Sequence, residues 1–122
     1  MAVRGIRGAI TCQADEDSIL AATRELLTAM LKANPSLQTA DMASVWFTVT
    51  SDLQLVHPAK AAREMGWNEV PLMCSMEIDV PGSLPQCVRV LIHWNTDLPQ
   101  SAVKHVYLRD AVKLRPDLSH AD

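Results

Sequence analysis

Aromatic side chains are scarce in this 122-residue chain, with one Phe, one Tyr and three Trp. Its core must therefore rest on Val, Leu, Ile, Met and Ala. No apolar run approaches the ~20 residues of a membrane span. The opening residues, MAVRGIRGAIT, carry arginines where a secretion signal has its apolar centre, so the expected address is the cytoplasm. A net charge of −3 provides no basic field to draw in nucleic acid. The three cysteines (Cys12, Cys74, Cys87) and four histidines (His57, His93, His105, His120) fall at no metal-ligand spacing. Reduced thiols and no metal are expected. A phosphate-binding glycine loop, a dinucleotide fingerprint and a G-x-S-x-G elbow are all missing, so no cofactor is implied and no nucleophile–base pair stands out.

What is present fits one domain over 1–122, since 48% of the residues are hydrophobic and 20% charged. Residues 2–11 alternate as a strand, with Val3, Gly5, Arg7, Ala9 and Thr11 on one face. Asp15 to Ser18 offer N-caps and an acidic first turn, and apolar residues then recur at helical spacing from Ile19 to Ala33 until Asn34-Pro35 stops them. Residues 43–50 are β-branched and aromatic and predict a second strand. Pro58 opens a short helix that Gly66 closes. Strands are predicted over 69–80 and 87–94, and a last extended run over 104–114, before a polar tail, from about residue 115, that is expected to be mobile. The order βαβαβββ predicts an α+β domain, a sheet of about five strands with one long and one short helix. One long helix cannot cover both faces of such a sheet. Strands apolar on both faces therefore point to an oligomer in which sheets from several subunits pack together.

The run CVRVLIHW (87–94) holds a charge that does not belong. Alternation puts Arg89 on a face with Cys87, Leu91 and His93, inside the most strand-like segment of the chain. Three readings compete: an exposed edge or a structural salt bridge to Glu77; an anion site, because a guanidinium offers a planar fork to carboxylates and phosphates; or a nucleic-acid contact, which the acidic total weakens. Arg7 sits among Gly5, Gly8 and Ala9, which either make room for a ligand or permit tight packing. Lys60 and Arg63 share a face of the short helix, whether for binding or merely in solvent. Glu77 is a counter-charge or a hydrogen-bond acceptor, Tyr107 carries a hydroxyl that wants a partner, and Cys74 is read first as a core thiol. These residues alone describe a small α+β oligomer with a cationic small-molecule pocket.

Four separated segments, RGIRGAIT, HPAKAAREMGW (57–67), VPLMCSMEIDVPGSLPQCVRV (70–90) and HVYLRDAVKLRPDLS (105–119), resemble in register the AroH-class monofunctional chorismate mutases. The resemblance implies a homotrimer whose sheets pack as a pseudo α/β-barrel, with active sites at subunit interfaces. It also implies the conversion of chorismate to prephenate on the way to phenylalanine and tyrosine. That Claisen rearrangement proceeds within one molecule and needs no nucleophile. By the same resemblance Arg89 meets the ether oxygen and one substrate carboxylate. Arg7 and Tyr107 anchor carboxylates, Glu77 and Cys74 meet the ring hydroxyl, and Lys60, Arg63 and Arg115 are cations at the rim. His57, Ala59 and Met73 belong to the pocket wall. His57 stands where the family often has Phe, and Met73 where it often has a small hydroxyl residue. Two other readings stay open on the residues: a non-catalytic trimeric module that binds small carboxylates and, by fold analogy alone, a trimeric imine deaminase.

Overall fold

The computed structural model describes residues 1–114. Asp15 begins the long helix α1 (Glu16–Ala33) by accepting hydrogen bonds from the Ser18 N–H (2.8 Å) and hydroxyl (2.9 Å), a cap of the kind that stabilises a helix by ~1 kcal/mol. Ile19, Ala22, Leu26, Leu27 and Met30 form its buried stripe. At the other end Asn34 donates to the carbonyls of Met30 and Lys104 and accepts from the Lys104 N–H, tying α1 to a distant part of the chain.

The strands are β1 (Ala2–Thr11), β2 (Met42–Val49), β3 (Leu72–Met76), β4 (Cys87–Thr96) and β5 (Val106–Leu108), and the short helix is α2 (Ala59–Glu64). They form one mixed sheet in the order β3-β2-β4-β1-β5. β4 pairs antiparallel with β1 and β2, while β1–β5 and β2–β3 are parallel. The expected α+β architecture is therefore present, and Gly66 (φ +92°) ends α2. No helix among the described residues is long and apolar enough to cross a membrane.

Two strands are shorter than the sequence predicts. The run 69–80 pairs only over Leu72–Met76, because β2, its sole neighbour, ends at Val49. The run 104–114 is strand for three residues and then becomes a 3₁₀ turn, Arg109–Lys113. Arg109 opens that turn at φ +56°, a left-handed conformation costly for a residue with a side chain. Its guanidinium holds the turn down by donating to the Thr11 carbonyl and to Glu25, each at 2.9 Å.

α1 covers one face of the sheet. Ile6, Ile10, Val45, Phe47, Val88, Val90, Ile92 and Trp94 are buried beneath it. Gly8 is the closest approach: a Cβ there would lie 2.5 Å from Met30 Sδ and 3.2 Å from Leu26 Cδ1. Gly8 thus makes room for the helix, the packing alternative of the two. Gly8→Val is expected to lower stability by about 1–3 kcal/mol through overpacking, measured as a shift of the urea midpoint at constant slope.

Candidate active site

Among the described residues the opposite face of the sheet carries no helix, and register alone assembles a site on it. Ser75, Thr48, Arg89, Ala9 and Tyr107 are successive partners across β3, β2, β4, β1 and β5. Met73, Trp46, Leu91 and Arg7 form the adjacent row. Side chains two apart on a strand share a face, so both rows project to the open side. Arg7, Ala9, Trp46, Thr48, Arg89, Leu91 and Tyr107 from these rows, together with Glu77 and Leu114, line a cavity of about 420 Å³. A small apolar cluster of Ala9, Cys87, Tyr107 and Ala111, with Leu84 and Leu114 against it, contributes Ala9, Tyr107 and Leu114 to the lining.

β4 is the central strand, so Arg89 is not at an edge. Its Nε lies 3.7 Å from Glu77 Oε1, longer than the 2.7–2.9 Å of a charge-assisted hydrogen bond. That Nε is inaccessible and has no hydrogen-bond partner among the described residues. An unmet buried donor costs about 1–3 kcal/mol, more when it is charged. The structural salt bridge is thus present only as a loose pair, and the guanidinium keeps a donor to spare. Glu77 follows the end of β3 but stays on the ladder, its N–H donating to the Val49 carbonyl. Its carboxylate accepts a 2.5 Å hydrogen bond from the Thr48 hydroxyl. Arg7 is exposed, and its main-chain N–H donates to His105 Nδ1 at 2.9 Å.

The remaining predicted residues lie elsewhere. Cys74 pairs with Phe47 and turns to the helix side, so Cys74 and Glu77 occupy opposite faces of one strand run. The end of β3 does not bring them together within one chain. Cys74 borders a second cavity, of about 400 Å³, with His57, Pro58 and Met76. Among the described residues this cavity shares no lining residue with the first. Ala59 and Arg63 of α2 are close to the Cys74 thiol. Lys60, on the same helix, reaches Glu16 at 3.6 Å. Met73 is 60% exposed on the open face beside Trp46. Arg115 and the tail lie outside the described residues. Burial pushes all three thiols up, Cys87 to about 11, with the Arg89 cation opposing only part of the shift. They are therefore neutral groups at pH 7.

Sequence reasoning missed Trp46, Thr48, Ala9 and Leu114 as cavity walls. The signal for Trp46 and Thr48 was their alternation within 43–50, but which strand they face depends on pairing.

A model of the family described as chorismate mutase type I matches residues 3–118. A Thermus thermophilus protein named chorismate mutase AroH is 57% identical over 120 residues, covering 98% of each chain. A Bacillus subtilis protein of the same name is 46% identical, covering 98% of this chain and 94% of its own. The solved structure of a chorismate mutase from Clostridium thermocellum superposes with a TM-score of 0.85 at 50% identity, over 88% of this chain and 96% of that one.

Proposed function

Since the chain belongs to the chorismate mutase type I family, and so isomerises chorismate to prephenate, we infer that the open-face cavity is one half of its active site and that a neighbouring copy supplies the other half. The observation that carries this reading is the part-exposed Arg89 guanidinium on the cavity wall, paired only loosely with Glu77 at 3.7 Å. The reaction breaks a C–O bond and makes a C–C bond within one dianion. The protein has two tasks: to hold the flexible substrate in its compact reactive shape, and to stabilise negative charge growing on the ether oxygen. Arg89 donates to that oxygen and to one carboxylate. Arg7 and Tyr107 bind the carboxylates. Glu77 accepts from the ring hydroxyl and favours the positive charge developing on the ring.

The second half consists of His57, Ala59, Lys60, Arg63, Met73 and Cys74, clustered around α2 and the β3 edge. Two facts support its arrival from another copy. Among the described residues the two cavities share none within one chain, and Val3, Trp46 and Met73 leave apolar surface exposed on the face opposite α1. A closed ring of three copies satisfies both, since a head-to-tail contact repeated by rotation puts one half-site against the other at every interface. We extend the reading to a single domain over 1–122 in the cytoplasm, with Arg115 as a further cation at the rim.

The test is to mix the purified protein with chorismate and a chelator and to follow the loss of the substrate's ultraviolet absorbance. Saturable turnover to prephenate is expected. Thermal protection by chorismate without turnover would leave a carboxylate-binding module instead. Cys74→Ser is expected to retain activity within ~10-fold of the parent, because a neutral thiol contributes one hydrogen bond at most. Complete loss of kcat in a folded variant would indicate covalent chemistry and overturn the mechanism.

A further inference from the structure

A carboxylate and a guanidinium side by side in a half-buried site ordinarily close into a short, often bidentate pair. Glu77 and Arg89 have not done so, and Thr48 stands where it prevents them. Thr48 is the direct cross-strand partner of Arg89. Its hydroxyl donates at 2.5 Å to Glu77 Oε1, the same oxygen that stops 3.7 Å short of Arg89 Nε. The main chain reinforces the restraint, since the Glu77 N–H donates at 2.9 Å to the carbonyl of Val49, next to Thr48. Glu77 is therefore fastened to β2 twice, once by its backbone and once by its carboxylate.

We propose that Thr48 is a positioning residue that holds the Glu77 carboxylate off Arg89, so that the part-exposed Arg89 guanidinium stays free for the substrate's ether oxygen. The proposal rests on the assignment of Arg89 and Glu77 to the active site. Its physical content is competition. Without the hydroxyl, Oε1 loses its nearest donor, and the adjacent cation becomes its best remaining partner. The collapsed pair ties the guanidinium to Glu77, and the substrate must then break that pair before the transition state can use the cation. Thr48 thus keeps the guanidinium out of a tight internal pair in the resting enzyme, which is the preorganised arrangement that an oxyanion site requires.

The experiment compares Thr48→Val and Thr48→Ser in the parent and in the Glu77→Gln background, reading kcat and KM for chorismate, together with a crystal structure of Thr48→Val. Valine keeps the branched shape, and serine keeps the hydroxyl. Thr48→Val is expected to lower kcat/KM about 10-fold, the effect of one hydrogen bond, and Thr48→Ser to stay within about twofold. In Glu77→Gln, Thr48→Val is expected to cost nothing further. The crystal structure is expected to show Glu77 drawn to Arg89 at about 2.8 Å. Equal losses in both backgrounds would mean that Thr48 touches the substrate itself, and would overturn the proposal. A costly Glu77→Gln beside a silent Thr48→Val would sink this proposal alone. A silent Glu77→Gln would sink the role given to Glu77 and this proposal with it. If Thr48→Val does not fold, Thr48→Cys, which has a weaker donor, serves in the same comparison.

Discussion

Replacing Arg89 with glutamine is expected to lower kcat by at least ~10²-fold, the scale for losing one preorganised donor to a developing oxyanion. Glutamine keeps an amide donor on a shorter side chain but removes the charge, and the charge matters most where the ether oxygen becomes anionic. Because that anion exists only in the transition state, kcat and kcat/KM fall together. The carboxylate contact assigned to Arg89 adds a smaller rise in KM. The same substitution is expected not to destabilise the folded chain. Among the described residues Arg89 Nε is buried without a hydrogen-bond partner, and the cation's charge partner, Glu77, is 3.7 Å away, so the guanidinium is more a cost than a source of folding stability. Stability and activity therefore move in different directions, as expected of a residue retained for chemistry. Steady-state kinetics and a melting curve on the same sample check both halves. Near-parent kcat would remove the central role of Arg89. A collapse in melting temperature would mean that the Glu77 pair is structural after all.

Arg89 was legible in the sequence because its oddity is local: a charge at one position of an alternating apolar run needs no knowledge of neighbours. α1 was legible for the same reason, as its stripe and caps repeat within one segment. The cavity as a whole was not. Thr48 stands against Arg89, and Arg7 against Leu91, only because of the register of β2–β4 and β1–β4, and register is a property of pairs of strands. The irregularity between Met42 and Ser44 shifts the early part of β2 relative to its partner, a further reason the facing residues cannot be counted off along the chain. The overlong β3 has a similar cause. Residues 77–80 are apolar enough for a strand, yet β2 offers them no further backbone to pair with. Gly8 was legible as a close approach but not as to what approaches, since Met30 lies a helix away in sequence. Cys74 and Glu77 are three apart, an odd spacing that sends them to opposite faces of an extended run, and the structure leaves them there. That separation has a consequence for assembly.

If Glu77 and Cys74 serve one substrate, they must come from different copies, and two defective chains should then repair each other. Arg89→Gln destroys the open-face half and leaves α2 and the β3 edge intact. A Lys60→Ala/Arg63→Ala chain does the reverse. Each alone is expected to be nearly inactive, the second because the dianion loses two of its rim cations. Co-refolded in equal amounts, the two chains mix within rings. A given site then draws an undamaged first half with probability one half and an undamaged second half with the same probability. About one quarter of parent activity is expected to return. The recovery depends on subunit exchange, so simply combining the two preformed proteins at low temperature gives none at first. This time course separates shared sites from partial activity in either variant. Sites contained within one chain predict something else: the mixture stays at the mean of the two variants, however long it exchanges. The outcome is insensitive to how much each residue contributes to catalysis, because it reads the origin of the two halves. A mixture that never exceeds that mean, in rings known by native mass spectrometry to contain both chains, would overturn the interfacial site while leaving the Arg89 chemistry standing.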